Sequence, residues 1–230
     1  MKLLVIAAFV LPAYAQVAAD CGSVRVLSTD LNDSEAIAYC KYAVAERAKV
    51  EEYWGATWGE PIRIRVDPRY AISMALVPAW RGNRGFMAMP LTRVRRGSGA
   101  LLHEIVHIYA PHENRFLAEG LAVYLQQKLG GNRAFPNDGE PLARLASRHS
   151  SDAELMQRLN AVRTPAPLGS VVDEATAYIL AGSFVEFLIE RYGLPKFRQL
   201  YESASYAETY GREFGVLVGE WQLSFERGQR

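Results

Sequence analysis

The chain has 230 residues, of which half are hydrophobic and 22% are charged, and its formal net charge is +1. This composition is ordinary for a soluble globular protein, and the length allows one substantial hydrophobic core. A charge so close to zero excludes the strongly basic field of nucleic-acid binding proteins, so we expect no nucleic-acid partner.

Residues 1–15 have the layout of a secretory signal peptide. A positive start at Lys2 is followed by an apolar run over 3–11 and by a small-x-small cleavage site that ends at Ala15. The apolar run is far shorter than the ~20 residues that span a bilayer. We predict cleavage near Ala15, export to the periplasm or the cell exterior, and a mature chain, 16–230, without a transmembrane segment.

The two cysteines of the chain, Cys21 and Cys40, both lie in the predicted mature part. Because an exported protein folds under oxidising conditions, they can form a disulfide that ties the N-terminal segment to the first helix. Closing a loop of this size contributes ~3 kcal/mol in the chain-entropy model. Two buried free thiols are the alternative.

The first half of the mature chain is predicted to hold one helix and a small sheet. Apolar residues at helical spacing predict a helix over 33–53, with Asp33 or Ser34 as its N-cap and Gly55 after its end. Alternating or extended patterns predict strands over 62–66, 72–80 and 86–90, and Pro90 suits the last of these to a sheet edge.

The remainder of the chain is predicted to be almost wholly helical. Helical spacing of apolar residues predicts helices over 99–109, 115–129, 141–147, 152–160, 173–192, 195–204 and 211–227. A small mixed sheet followed by helices is typical of the α+β class.

The segment LLHEIVHIY carries two of the four histidines of the chain in a stretch otherwise suited to a buried helix. His103 and His107 are four residues apart, so they lie on one helix face and both rings can reach one zinc ion. Glu104 is offset round the helix, toward a water on that ion, where a general base must sit. The spacing therefore predicts hydrolysis of a carbonyl compound by a zinc-activated water, on a helix that otherwise packs as core.

A hydrolytic zinc site usually has three protein ligands, and the sequence offers several candidates for the third. Glu113 stands six residues after His107, as in the metzincin pattern, but Ala110 replaces the glycine that this pattern expects. His112, one residue nearer to His107, is another candidate.

Glu119 is the favoured third ligand. Pro111 ends the first helix of the site and Asn114 can cap the next, so the two helices should pack side by side. His107 then lies about one turn before the bend and Glu119 about one turn after it. Gly120 inside a helix costs ~1 kcal/mol, which indicates a packing requirement beside Glu119.

The segments 103–107 and 116–124 together resemble the gluzincin zinc peptidases, and especially the peptidase MA-like family with its Phe/Trp-Leu-x-Glu-Gly-Leu-Ala-x-Tyr segment. The likeness continues over 181–193 and 219–225, and it covers about 60–228. It implies a gluzincin-like fold, in which a small mixed sheet packs on the helix that carries the histidines and a mostly helical C-terminal half follows.

The resemblance also implies roles for individual residues. His103, His107 and Glu119 would bind Zn²⁺, Glu104 would be the catalytic base, and the substrate would be a peptide or protein. We accordingly expect a single metallopeptidase-like domain over 16–230, with a zinc-site core at about 60–130 and a helical subdomain at about 140–228.

Aminopeptidase-type gluzincins carry a Gly-x-Met-x-Asn strand with an acidic residue that holds the substrate amine. The corresponding edge strand is predicted at 85–90, which contains no carboxylate. This departure favours an endopeptidase over an aminopeptidase. An edge strand of this kind can pair with an extended peptide.

A transition-state oxyanion needs a hydrogen-bond donor besides the metal. Related peptidases use a Tyr or His well downstream of the glutamate ligand. Tyr178 is the first candidate, and His149 and Tyr124 follow.

The sequence therefore predicts an exported zinc metallopeptidase. Two alternatives stay open at this stage. One is a binding or assembly protein that keeps the gluzincin fold with little or no turnover. The other is a zinc hydrolase of a non-protein amide.

Overall fold

The computed structural model describes residues 16–75, 85–149 and 152–227. The predicted signal peptide, 1–15, lies outside the described residues, as does 76–80 of the strand predicted over 72–80. Within the described ranges, no helix is both long enough and apolar enough to cross a membrane.

A mixed sheet of five strands lies in the N-terminal part of the fold. Its strands are β1 (Val17–Asp20), β2 (Val24–Leu27), β3 (Ile62–Asp67), β4 (Met74–Ala75) and β5 (Phe86–Pro90). Their spatial order is β1-β2-β3-β5-β4. The three central strands β2, β3 and β5 run parallel, and β1 and β4 pair antiparallel at the two edges.

The prediction that 86–90 forms a sheet edge is wrong. Ala88 pairs with Arg65 of β3 on one side and with Met74 of β4 on the other, and all five residues of β5 are buried. Pro90 is tolerated in this interior strand because it is the last residue, where the next helix begins and little of the ladder is left to break. The edge strand on this side of the sheet is β4.

The helices agree with the predicted α+β class. They are α1 (Asp33–Trp54), α2 (Leu91–Arg95), α3 (Leu101–Tyr109), α4 (Arg115–Lys128), α5 (Leu142–Ala146), α6 (Ala153–Asn160), α7 (Glu174–Tyr192), α8 (Leu194–Ser203), α9 (Tyr206–Tyr210) and α10 (Phe214–Arg227), with a single 3₁₀ turn at Leu168–Ser170.

The ends of α1 are set by local hydrogen bonds. Its N-cap is Asn32, rather than the predicted Asp33 or Ser34: the Asn32 side chain accepts from the Glu35 backbone N–H, and the Glu35 carboxylate accepts from the Asn32 N–H. This reciprocal capping box satisfies two of the otherwise unpaired donors of the first turn. Gly55 closes the helix in the left-handed region, at φ 68°.

A disulfide joins Cys21, just after β1, to Cys40 in α1, with their Cα atoms 6.2 Å apart. Cys40 is fully buried against the sheet, so the bond fixes the outer strands to the helix that covers them.

Helix α3 lies in the centre of the fold and all nine of its residues are buried. It packs between α1 and α4, and α4 in turn packs closely on α7. Gly120 allows this second contact, because a Cβ at that position would lie 2.6 Å from the Ala181 carbonyl oxygen and 2.7 Å from Val185. The packing requirement expected at Gly120 therefore exists, and the partner is α7.

Candidate metal centre

The hydrogen bonds around Asn114 set the geometry of the α3–α4 connection. The Asn114 side chain caps α4 by accepting from the Leu117 N–H at 3.2 Å, and its amide donates to the Asn160 backbone carbonyl at 3.2 Å. The start of α4 is thereby held both locally and by the C-terminal end of α6. His107 is two residues before the end of α3, and Glu119 is the fifth residue of α4.

Three donor atoms converge where α3 faces α4. His103 Nε2 lies 3.1 Å from Glu119 Oε2, His107 Nε2 lies 3.3 Å from the same oxygen, and the two Nε2 atoms are 3.1 Å apart. All three side chains are buried, with Glu119 only 1% exposed. Among the described residues, these are the His, Cys, Asp or Glu side chains placed to hold a metal ion together.

The spacing of these atoms fits a tetrahedral zinc site. Zn–N and Zn–O bonds of ~2.0–2.1 Å place neighbouring ligand atoms of a tetrahedron ~3.3 Å apart. Neutral imidazole nitrogens and a carboxylate oxygen all present lone pairs, so they approach this closely only when a proton or a cation lies between them. The nitrogen and oxygen donors are those that zinc accepts, and the donor set therefore fits Zn²⁺.

The electrostatics of Glu119 suit a ligand. Burial raises the pKa of its carboxyl, but the charges and hydrogen bonds of His107 and His103 outweigh burial and hold the pKa well below its usual range. The carboxylate therefore stays ionised, as a metal ligand must.

Glu104 lies on α3 beside this cluster without joining it. It is buried, and its Oε2 accepts a hydrogen bond from the backbone N–H of Ala75 at 2.7 Å. Burial raises the pKa of Glu104 to about 7, while the nearby charge of His103 acts in the opposite direction. The Ala75 N–H thus holds this carboxylate at the edge strand β4.

The other ligand candidates from the sequence lie away from the cluster. Glu113 is exposed, and its backbone carbonyl accepts from the Thr164 N–H at 2.9 Å. His112 accepts from the Asn114 N–H through Nδ1 at 2.9 Å, and its ring packs 4.4 Å from that of Tyr201. Both are held in the α3–α4 connection.

The three candidates for the oxyanion donor are well separated. The ring of Tyr178 lies nearly parallel to that of His103, with centroids 6.1 Å apart and planes 13° apart. Tyr124 instead donates to Glu190 at 2.8 Å, and His149 is exposed in the turn after α5. Tyr178 is thus the candidate that lies beside the cluster of His103, His107 and Glu119. Burial together with the charge of Glu119 raises the pKa of Tyr178, so its hydroxyl keeps its proton.

Two features of the site were missed in the sequence. The guanidinium of Arg115 pairs with Glu119 Oε1 one helical turn away, and the N–H of Ala75 contacts Glu104 from a different element. The four-residue spacing of Arg115 and Glu119 was a visible signal. The Ala75 contact had no local signal, because it depends on where β4 pairs.

No protein-family model matches the chain, and no curated protein matches it. The chain is similar to the structure of an M1 zinc metallopeptidase from Deinococcus radiodurans, with 18% identity over 86% of this chain and 48% of that one, at a TM-score of 0.45. A mutant of an M1 zinc metallopeptidase from the same organism, bound to a Tyr-Ser-Ala substrate, gives 17% identity over 88% and 50% of the two chains, at a TM-score of 0.49. A two-domain M1 zinc metallopeptidase mutant bound to L-arginine gives 20% identity over 90% and 46%, at a TM-score of 0.45. The chain spans about half the length of these structures.

Proposed function

We propose that this protein is an exported zinc peptidase that holds Zn²⁺ on His103, His107 and Glu119 and uses Glu104 as its general base. The observation that carries the proposal is the convergence of three buried donor atoms within 3.3 Å of one another, beside a buried carboxylate on the same helix. Export is supported by the signal-like sequence at 1–15 and agrees with the Cys21–Cys40 disulfide.

A zinc ion in such a site supplies a Lewis acid that polarises a carbonyl and lowers the pKa of water to about 7. Glu104 performs the proton transfers. The Ala75 N–H holds its Oε2, and Oε1 would accept the proton of the attacking water. The carboxyl then gives that proton to the leaving amine nitrogen, and the carboxylate is restored for the next turnover.

Tyr178 is proposed to donate a hydrogen bond to the developing oxyanion. Its ring lies beside that of His103, and its raised pKa keeps the hydroxyl protonated at neutral pH. Tyr178→Phe should lower kcat by about 10²–10³-fold, the usual cost of losing one such donor, with KM little changed. An unchanged kcat would remove Tyr178 from the mechanism.

The edge strand β4 is proposed to bind an extended peptide. Ala75 lies on β4 and contacts Glu104, so the strand borders the catalytic base. Within the described residues, β4 pairs with β5 on one side only, and a peptide can add a strand at a free edge. The sequence from 71 to 85 contains no Asp or Glu to bind a substrate amine, which supports an endopeptidase.

A peptide-library cleavage assay tests the proposal. The mature chain, 16–230, is loaded with zinc and incubated with the library, the products are mapped by mass spectrometry, and Glu104→Gln serves as the inactive control. Internal cleavage that Glu104→Gln abolishes is the expected result. Stoichiometric zinc without any cleavage would favour a binding protein or a non-peptide hydrolase, and cleavage only at N-termini would contradict the endopeptidase assignment.

A further inference from the structure

The ion pair between Arg115 and Glu119 divides the two oxygens of the Glu119 carboxylate between two tasks. Oε2 faces the Nε2 atoms of His103 and His107, at 3.1 and 3.3 Å. Oε1 faces the other way and pairs with the guanidinium of Arg115. The Glu119 side chain is 2% exposed and the Arg115 side chain is 21% exposed, so the pair is largely screened from solvent.

Helix stability does not explain an arginine at this position. Arg115 is the first residue of α4, and the first turn contains no acidic side chain. A positive charge there opposes the helix dipole, which favours anions at the N-terminus. The order Arg before Glu is also the weaker orientation for a pair four residues apart. Stabilisation of α4 therefore does not account for the ion pair between Arg115 and Glu119.

The surrounding contacts hold the Arg115 backbone in place. Its N–H donates to the Val162 carbonyl at 3.1 Å, and the Thr164 N–H donates to the Glu113 carbonyl at 2.9 Å. The loop after α6 thus fixes the start of α4 through backbone bonds on both sides of Asn114. The guanidinium therefore extends toward Glu119 from a fixed backbone, and its planar fork of donors loses less freedom per hydrogen bond than a lysine ammonium would.

Resting on the proposed zinc site, we propose that Arg115 is a positioning residue that makes Glu119 a single-oxygen ligand. By holding Oε1, it prevents the carboxylate from rotating until both oxygens face the two histidines. A hydrolytic site needs an open position for water or substrate, and a second carboxylate oxygen would occupy it. Partners that orient a ligand in this way typically change metal affinity by about 10–100-fold when lost.

Three variants of the mature protein test this inference. Arg115→Met removes the charge and keeps the length of the side chain, and Arg115→Lys keeps the charge but loses the fork of donors. Arg144→Met is the matched control, because Arg144 also pairs with a glutamate four residues away, Glu140 at 3.8 Å, but is 67% exposed and lies on α5. Zinc affinity is measured by competition with a chromophoric chelator, and folding by circular dichroism without metal.

We expect zinc binding to weaken about 10–100-fold in Arg115→Met, less in Arg115→Lys, and not at all in Arg144→Met. The visible spectrum of the cobalt-substituted protein gives a second readout, since absorption weakens as coordination number rises. Arg115→Met should lose intensity relative to the wild type, and Arg115→Lys should recover part of it. A purely structural role for Arg115 would leave this spectrum unchanged.

The outcomes separate this inference from the zinc site itself. If the wild type binds no zinc, the proposed function fails. If the wild type binds zinc and a folded Arg115→Met keeps the same affinity and the same cobalt spectrum, only the role of Arg115 is overturned. Should Arg115→Met not fold, Arg115→Lys decides by the same two measurements.

Discussion

Helices α1 and α3 both bury charged side chains, but the two regions satisfy them differently. In α1, Arg47 is 6% exposed and its guanidinium donates to the carbonyls of Ser23, Glu60 and Trp58 while pairing with Glu51. Each of these oxygens accepts a hydrogen bond that the Arg47 guanidinium donates. At α3, two imidazole nitrogens and a carboxylate oxygen face one another instead. The first arrangement is complete without a ligand, and the second becomes complete with a cation.

The largest expected effect is on turnover, at Glu104, the side chain of α3 that is proposed as the general base. Glu104→Gln removes the base but keeps the shape and the acceptor for the Ala75 N–H. Cleavage should fall by about 10²–10⁴-fold while zinc stays bound, measured by peptide assay and metal analysis of one sample. Glu46→Gln, a buried glutamate of α1, is the control and should retain cleavage. Equal activity in both variants would show that Glu104 is not the base.

The next effect is on metal affinity. Glu119→Ala removes one of the three converging atoms, so zinc should bind more weakly by over ~10²-fold, beyond the usual cost of losing an outer partner. Glu113→Ala should bind zinc as the wild type does, because Glu113 is exposed and away from the cluster. Chelator competition measures both variants. The opposite ranking would support the metzincin-like spacing.

The complete polar cluster of α1 should affect stability rather than metal binding. Arg47→Met removes the guanidinium that donates to three backbone carbonyls and pairs with Glu51, and we expect a loss of about 3 kcal/mol in the free energy of unfolding with unchanged zinc affinity. Arg191→Met breaks a pair whose arginine is 49% exposed, so it should destabilise the fold far less than Arg47→Met does. Urea unfolding of zinc-free protein compares them. A large loss of zinc affinity in Arg47→Met would contradict the assignment of the Arg47 contacts to stability and not to metal binding.

The smallest expected effect concerns Asp67, at the end of β3. Hydrogen bonds from Arg69 lower the pKa of Asp67 from 3.8 to about 2. Because the pKa of Asp67 is lowered in the folded state, its ionised carboxylate stabilises the fold above pH 3.8. This stabilisation is lost as the pH falls through about 2. Because Arg69 is 74% exposed, Asp67→Asn should cost only about 1–2 kcal/mol at pH 7. Unfolding curves at several pH values should show this difference vanish near pH 2, and a constant difference would contradict the ion-pair explanation.

The parts of the fold that rest on local pattern could be predicted from the sequence. Helices α3 and α4 begin and end within two residues of their predicted bounds, because helical spacing, Pro111 and Asn114 all act within one or two turns. The same spacing brought His103 and His107 to one face.

Features that depend on pairing between distant parts of the chain could not be predicted from the sequence. The segment 86–90 was misassigned to a sheet edge, because the position of a strand depends on its partners β3 and β4 and not on its own residues. The short strands β1 and β2 were missed, since four residues carry little periodicity. The contact between Ala75 and Glu104 exists only once β4 has paired with β5.

Metal content tests the central claim most directly. The mature protein is purified after zinc supplementation and analysed by plasma mass spectrometry, beside a variant in which both His103 and His107 are alanine. We predict about one zinc per chain in the wild type, as a single three-ligand site requires, and none retained by the variant. A wild type with clearly substoichiometric zinc, or a variant that keeps its zinc, would contradict the assignment of this site.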